Sequence, residues 1–157
     1  MSFEAVQAWL NEHAPDIPII RYDQETATVA DAAAVLRVEP ARIAKTLALR
    51  VGDRNVVLVT SGEARLDNAK CKAALGNRPR MLDAQQTLDI TGHPVGGVCP
   101  FALASDAPVY CDVSLQSFAT VFPAAGSRTS SVEVEPQRLM TLVGGTWVNV
   151  CKVPSET

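Results

Sequence analysis

Two runs of β-branched and aliphatic residues, separated by a short polar segment, constrain the fold of this chain most strongly. The first run covers residues 46–51 and the second covers residues 56–60, with Gly52 and Asp53 in the segment 52–55 between them. Residues of this type favour extended strands, and a four-residue connection that contains glycine is typical of a β-hairpin. The sequence therefore predicts a pair of antiparallel strands near the middle of the chain.

Helices and further strands are predicted on both sides of this hairpin. Residues 2–13 place Phe3, Val6 and Leu10 on one helical face, and Thr28 precedes Asp31 in the spacing of a helix start. The prediction has helices at 2–13, 28–36, 66–75, 83–90 and 136–143, a helical turn at 39–43, and strands at 19–22, 80–82, 108–112, 119–122, 131–134 and 147–150. Because strands and helices do not alternate regularly, we expect one α+β domain over 1–157 with a mixed, mostly antiparallel sheet flanked by helices.

Composition limits where the protein works. Hydrophobic residues make up 47% of the chain and charged residues 20%, which is the balance of an ordinary globular protein. No apolar run approaches the roughly 18 residues that span a bilayer, and the first residues lack the basic and apolar regions of a signal peptide. The expected location is the cytoplasm, with no membrane partner.

Charge is distributed unevenly along the chain. The segment 42–80 contains nine basic and three acidic residues, so it carries +6 while the rest of the chain carries −9. A basic segment of this kind favours local contact with a polyanion, and equally describes a solvated face without a binding role. The overall charge of −3 argues against indiscriminate nucleic-acid binding, and DNA is not an expected partner.

Metal and disulfide chemistry are not expected. The four cysteines are Cys71, Cys99, Cys111 and Cys151, and no two of them form a CxxC pair. With only two histidines in the chain, close pairs of zinc ligands are missing, so neither a metal nor another cofactor is predicted. In a reducing compartment the cysteines are expected to be small buried apolar residues.

The segment 91–100 holds three glycines and two prolines and cannot form regular structure for long. Within it, Gly96 precedes Pro100 by four residues. A flexible backbone before a fixed φ angle can turn successive N–H groups toward one point, which would bind an anion or an oxyanion without side chains. The alternative is a tight connection in which glycine is needed only for space.

Three side chains are candidates for chemistry, each with a structural alternative. Lys45 follows a helical turn at the start of a strand and could hold one phosphate or carboxylate, or lie on the surface. His93 could act as an acid or base, or form structural hydrogen bonds. Cys99 could be a thiolate nucleophile, although the sequence indicates no Cys–His–Asn or Cys–His–Asp set.

Four motifs together resemble the YbaK family, the free-standing relatives of the editing domain inserted in bacterial prolyl-tRNA synthetases. In chain order they are PARIAKTL at 40–47, GEARLD at 62–67, GHPVGGVCPF at 92–101 and AGS at 125–127. The likeness covers residues 29–150, leaving 1–28 for an N-terminal helix and first strand. It implies a curved sheet and a trans-editing hydrolase that deacylates mischarged aminoacyl-tRNA, with tRNA(Pro) carrying a small non-cognate amino acid as substrate and prolyl-tRNA synthetase as a possible partner.

The resemblance also implies roles for particular residues. Lys45 would hold the phosphate of the terminal adenosine, and Thr46 would line the pocket. The backbone of the loop would stabilise the oxyanion, while water activated by the substrate's 2′-hydroxyl, or the thiol of a cysteinyl substrate, attacks the ester. The loop residues in this role are Gly96, Gly97, Val98, Cys99 and Pro100, and the further substrate-binding residues are Arg42, His93, Gly126 and Ser127.

Two departures and two alternatives accompany this resemblance. Ala102 stands where many similar sequences have glycine, and the segment 104–107 lacks the basic residues that some members carry. A module that binds aminoacyl-tRNA, a nucleotide or an amino acid without turnover would use the same pocket. A hydrolase with Cys99 as nucleophile is a third possibility, and it predicts inactivation by iodoacetamide.

Overall fold

The predicted hairpin forms the middle of the main sheet in a computed structural model that describes residues 2–154. Met1 and residues 155–157, the ends of the predicted domain 1–157, lie outside the described residues. The helices are α1 (Ser2–His13), α2 (Val29–Leu36), α3 (Asn68–Leu75), α4 (Ala84–Thr91) and α5 (Pro136–Leu142). The strands are β1 (Ile20–Arg21), β2 (Ile43–Val51), β3 (Arg54–Ser61), β4 (Arg65–Leu66), β5 (Pro79–Met81), β6 (Val109–Asp112), β7 (Phe122–Pro123), β8 (Ser130–Ser131), β9 (Thr146–Val148) and β10 (Cys151–Lys152).

The main sheet is mixed. Its strand order is β5-β2-β3-β6-β9, and β7 also pairs with β2. The β2–β3 and β2–β5 pairs are antiparallel, whereas β7, β6 and β9 join their neighbours in parallel. Two small antiparallel sheets, β1–β8 and β4–β10, complete the α+β architecture. The predicted fold class is therefore confirmed.

The hairpin turn is shorter than predicted. Val51 pairs with Arg54, so the loop consists of Gly52 and Asp53 and not of four residues. Gly52 has φ 64°, which suits the first central position of a type II′ turn. Because this turn matches the twist of the flanking strands, Arg54 and Asn55 extend β3 instead of forming a loop.

Side-chain caps start three of the helices where the sequence placed them. The oxygens of Thr28, Asp67 and Asp83 accept hydrogen bonds from backbone N–H groups in the first turns of α2, α3 and α4. Such caps satisfy N–H groups that have no partner within the helix. Among the described residues, no helix combines the length and the apolar character needed to cross a lipid bilayer.

Several predicted strands are shorter or divided. In place of the predicted strand 119–122, the structure has the two-residue strand β7 at 122–123. In place of the predicted strand 131–134 it has β8 at 130–131, and Val121 and Val134 form an isolated bridge. The predicted strand 147–150 is divided between β9 and β10. Asp112 stabilises the segment between these two strands, because its carboxylate accepts a hydrogen bond from Val150 N at 2.9 Å.

The outer edge of β2 positions the candidate site. The opposite edge pairs with β3 over residues 44–51. On the outer edge, β7 covers residues 43–44 and β5 covers residues 49–51, so no strand pairs with residues 45–48. We call this gap the open edge. Ala48 O accepts from Leu82 N, and alternation along a strand therefore turns the N–H and C=O of Thr46 outward as well.

Candidate functional site

A cavity of about 380 Å³ lies at the open edge of β2. One wall consists of residues 43–48, and the segment containing Val95, Gly96 and Val98 forms another part of the lining. The other lining residues are Tyr22, Thr26, Ala27, Thr28, Val29, Ala32, Met81, Leu82, Thr87, Phe122, Ala124 and Ser131. The fold thus brings the glycine–proline segment and the lysine–threonine pair, which are about 50 residues apart in sequence, to one cavity.

Two loop residues that line this cavity have backbone N–H groups without an acceptor in the part of the chain that the structure describes. Gly96 has φ 99°, a conformation that favours glycine. Among the described residues, no acceptor takes a hydrogen bond from the N–H of Gly96 or of Val98. Gly97 differs, because its N–H donates to Pro94 O at 3.0 Å. Pro100 has no N–H to donate. Of the predicted loop donors, Gly96 and Val98 therefore combine an unused N–H with a place in the cavity lining.

Arg128 holds the loop from the side. Its Nη2 donates to Val95 O at 3.2 Å, and a Cβ on Gly96 would lie only 2.3 Å from Arg128 Nε. The backbone of Arg128 is fixed in turn, because its carbonyl accepts from both the N–H and the hydroxyl of Thr26 at 2.8 Å. The Val95–Gly96 peptide is trans, so binding Val95 O on one side turns the Gly96 N–H to the other side.

Thr46 brings an unsatisfied polar atom to the cavity. Its Oγ1 is buried and has no hydrogen-bond partner among the described residues. A buried hydroxyl without a partner costs free energy of roughly 1–3 kcal/mol, which makes such atoms uncommon in folded proteins. Because the oxygen has almost no exposed surface, a ligand would recover that cost only after the side chain turned the hydroxyl toward the cavity.

Lys45 lies on the opposite face of β2 from Thr46, because successive side chains of a strand alternate. Its ammonium is half-buried and donates to Ala64 O at 2.7 Å. Burial lowers the pKa of Lys45 from its ordinary value, and the nearby charge of Arg65 lowers it further. Lys45 and Thr46 both line the cavity, whereas Ala64, which accepts from the Lys45 ammonium, does not.

His93 and Cys99 form a structural pair behind the loop and do not line the cavity. His93 is 1% exposed, its Nε2 donates to Phe101 O at 2.7 Å, and its Nδ1 accepts from the hydroxyl of Ser2. Burial lowers the pKa of His93, which favours this neutral form. Cys99 is fully buried, and burial raises the pKa of its thiol to about 12. A thiolate nucleophile is therefore not favoured at Cys99.

The other predicted substrate-binding residues also lie outside the cavity lining. Arg42 donates to Thr120 O at 3.1 Å and forms an ion pair with Glu133 at 3.5 Å. Gly126 and Ser127 pack against the back of the loop, since a Cβ on Gly97 would lie 3.0 Å from Ser127 N. These residues support the loop or neighbouring strands, and the structure does not bring them to the same cavity as Thr46.

Sequence reasoning missed three residues at or beside the cavity: Tyr22, Thr26 and Arg128. The hydroxyl of Tyr22 lies 2.9 Å from Ser131 Oγ, and both residues line the cavity. These contacts depend on the pairing of β1 with β8, which joins segments more than 100 residues apart. No local pattern in the sequence predicts that β1 pairs with β8. The AGS motif, which Arg128 follows directly, was the available signal for Arg128.

This chain belongs to the aminoacyl-tRNA editing domain family, whose model matches residues 23–142. The matched segment contains the open edge, the loop and Arg128. The family resemblance predicted from the four motifs is therefore confirmed, and the editing role of the domain follows from membership.

Two curated proteins and one solved structure illustrate what this chain is similar to. "Uncharacterized protein YwhH" of Bacillus subtilis is 41% identical over 154 residues, which are 97% of this chain and 98% of that protein. The "Putative Cys-tRNA(Pro)/Cys-tRNA(Cys) deacylase EbsC" of Enterococcus faecalis is 30% identical over 118 residues, 73% and 71% of the two chains. A crystal structure described as "a putative trans-editing enzyme for prolyl tRNA synthetase" shares the fold, with a TM-score of 0.88, 24% identity, and coverage of 96% and 97%.

Proposed function

We propose that this protein is a deacylase that acts in trans on aminoacyl-tRNA and releases a small non-cognate amino acid from tRNA(Pro). The observation that carries the proposal is the cavity at the open edge, whose lining residues include Thr46, with an unpartnered hydroxyl, and Gly96 and Val98, with unused N–H groups. An aminoacyl ester supplies a carbonyl oxygen, an amino group and a ribose hydroxyl to such a space.

In the proposed reaction the loop acts on the ester carbonyl. The N–H groups of Gly96 and Val98 donate to the carbonyl oxygen and stabilise the negative charge that develops on it. A water molecule attacks the carbonyl carbon and gives its proton to the 2′-hydroxyl of the terminal ribose, which passes a proton to the departing 3′-oxygen. The bond from the acyl carbon to the 3′-oxygen breaks, which releases the free amino acid and tRNA. A cysteinyl substrate has a second route, in which its own thiol attacks the ester.

Lys45 contributes positive charge in this proposal. Its half-buried ammonium binds the phosphate of the terminal adenosine while one of its protons remains bonded to Ala64 O. Because the ester is already an activated bond, positioning and oxyanion stabilisation can supply most of the acceleration. No protein nucleophile is needed, in agreement with the buried thiol of Cys99.

The walls of the cavity support a small amino acid as the group removed. Val29, Ala32, Ile43, Leu82 and Phe122 give the lining an apolar character within about 380 Å³. A cavity of this kind favours small, uncharged side chains. The name of the Enterococcus relative supports tRNA(Pro) as the carrier, and prolyl-tRNA synthetase in the cytoplasm is the proposed source of mischarged substrate.

A deacylation panel tests this function. tRNA(Pro) is charged separately with Ala, Cys, Ser, Thr and Pro, and release of each amino acid is followed with the parent protein and with Lys45→Ala. We expect rapid release of at least one small non-cognate amino acid, slow release of Pro, and a large loss of rate in the variant. Saturable binding of every aminoacyl-tRNA without ester loss over hours would show a binding module and contradict the proposal.

A further inference from the structure

The hairpin end of the main sheet carries four arginines that the proposed chemistry does not use. Arg50 on β2 and Arg80 on β5 are register partners, and Arg54 begins β3 next to the turn. Arg78 directly precedes β5. The register of the hairpin places Arg54 on the opposite face of the sheet from Arg50. We therefore call Arg50, Arg78 and Arg80 the arginine patch. The acidic residue within the same segments, 50–54 and 78–80, is Asp53, so the segments carry a net charge of +3.

The arrangement of Arg50 and Arg80 does not help the fold. Register partners project from the same face of a sheet at about 5 Å, and like charges placed directly opposite each other are destabilising. Arg50 Nε donates to Asn55 Oδ1 at 2.7 Å, which leaves its charge uncompensated. Within residues 2–154, none of the four arginines at the hairpin end forms an ion pair. Their charge is therefore available to an external anion.

Two basic residues outside the patch have acidic partners. Arg42 pairs with Glu133, and Lys152, which packs beside α3, pairs with Asp67 at 3.1 Å. Four of the nine basic residues of the segment 42–80 lie at the hairpin end, and none of these four has an acidic partner among the described residues. This distinguishes the arginine patch from a face on which charges of both signs are interspersed.

We propose that the arginine patch binds the phosphate backbone of the tRNA acceptor stem while the open edge of β2 receives the aminoacylated 3′ end. This inference rests on the proposed function. Arg50 follows Thr46 by four residues, which corresponds to about 13 Å along a strand. Four unpaired nucleotides at the 3′ end of a tRNA, stacked at roughly 3.4 Å each, span about 14 Å. The first stem phosphates would then reach the patch.

Direct binding of deacylated tRNA(Pro) tests the inference without requiring turnover. Fluorescence anisotropy is measured over a series of KCl concentrations for the parent, for Arg50→Gln/Arg80→Gln, and for Arg21→Gln/Arg37→Gln, which removes the same charge from exposed arginines elsewhere. We expect the patch variant to bind about tenfold more weakly at physiological salt, with a slope of log affinity against log salt that is about 2 units shallower. The control variant should keep the parent slope.

A second arm separates RNA binding from the chemistry. An aminoacylated CCA trinucleotide lacks the stem, so the patch variant should hydrolyse it at the parent rate while its KM for full-length aminoacyl-tRNA rises. Thermal unfolding should not occur at lower temperature in the variant, because the substitution removes a repulsive pair.

Each outcome decides one of the two proposals. An unchanged affinity and salt slope for tRNA in the patch variant would overturn the inference. It would also be overturned if the patch variant kept its tRNA binding but no longer bound prolyl-tRNA synthetase, because the patch would then be a protein-binding surface. If the parent binds RNA through the patch but hydrolyses no ester, the proposed function fails and the RNA surface stands. If hydrolysis occurs and the patch variant matches the parent with full-length tRNA, only the surface fails.

Discussion

The two ends of strand β2 differ in what lies along the outer edge. At residues 49–51 the edge pairs with β5, and Arg50 faces Arg80 across the pair. At residues 45–48 no strand pairs with the edge, and the unpartnered hydroxyl of Thr46 is buried at a cavity. One strand can therefore give a rigid frame to two different surfaces only a few residues apart. In our proposals the open end acts on the ester, and the paired end holds the RNA.

The largest expected effect is at the open end. Lys45→Ala should lower kcat/KM for deacylation by about 10²-fold or more, since a positioned charge next to the substrate is lost. The binding of deacylated tRNA should keep its salt slope, because the arginine patch is intact. A variant that hydrolyses every tested aminoacyl-tRNA as fast as the parent would show that Lys45 has no part in the reaction.

The pH dependence sharpens the assignment to Lys45. Burial lowers its pKa, so the ammonium loses its proton below pH 10.5, the ordinary lysine value. The ratio of the parent rate to the Lys45→Met rate should therefore fall as the pH rises through that lowered pKa. Stability changes in the opposite direction: between the two pKa values the unfolded chain binds more protons, so the free energy of unfolding rises with pH. A flat ratio across the alkaline range would contradict the role of the charge.

A matched pair of glycines tests the loop. Gly96→Ala would bring a Cβ to within 2.3 Å of Arg128 Nε at φ 99°, whereas Gly76→Ala has φ 94° and open space around it. Each substitution should lower stability by about 1 kcal/mol, since both residues adopt a left-handed conformation. Only Gly96→Ala should lower kcat, by about 10²-fold, because it displaces a backbone donor. Equal deacylation activity in the two variants would contradict the role of the Gly96 N–H in the reaction.

Arg128 should have an intermediate effect. Arg128→Met removes the hydrogen bond to Val95 O, which fixes the orientation of the Val95–Gly96 peptide and therefore of the Gly96 N–H. We expect kcat to fall about tenfold with little change in KM, and Arg128→Lys to recover part of the loss, since a charged donor remains. Arg138→Met is the control, because Arg138 pairs with Asp16 instead of the loop. A KM effect without a kcat effect would assign Arg128 to substrate binding.

The smallest effect is expected at Cys99. Its thiol is fully buried with a pKa raised to about 12, so almost none of it is thiolate at neutral pH. Iodoacetamide should leave deacylation by the native protein unchanged, and Cys99→Ala should keep the fold and some activity. Rapid inactivation at a stoichiometry of one label per chain, mapped to Cys99, would restore the thiol hydrolase as an explanation.

Local patterns in the sequence predicted local structure well. The caps at Thr28, Asp67 and Asp83 and the two hairpin strands depend on residues near each other in the chain, and the structure has them. The predicted length of the hairpin turn was wrong, because Arg54 and Asn55 are polar residues that belong to strand β3. Polarity at a strand end does not distinguish a loop from an exposed strand residue.

The arrangement of the site could be predicted only in part. The motifs pointed to Lys45, Thr46, Gly96 and Val98, which line the cavity. Nothing in the sequence shows that β5 and β7 stop short of each other on β2, since both pairings join distant segments. Ala102 illustrates a further limit: it adopts φ 52°, which explains why glycine would suit this position, but only the backbone reveals it.

The central claim is that the N–H groups of Gly96 and Val98 bind the carbonyl of the aminoacyl group. Titration of ¹⁵N-labelled protein with a non-hydrolysable 3′-aminoacylamino-3′-deoxyadenosine, followed by amide NMR spectra, tests it most directly. We predict downfield proton shifts for Gly96 and Val98 and a smaller change for Gly97, whose N–H already donates to Pro94 O. Saturable binding that shifts neither Gly96 nor Val98 would contradict the account.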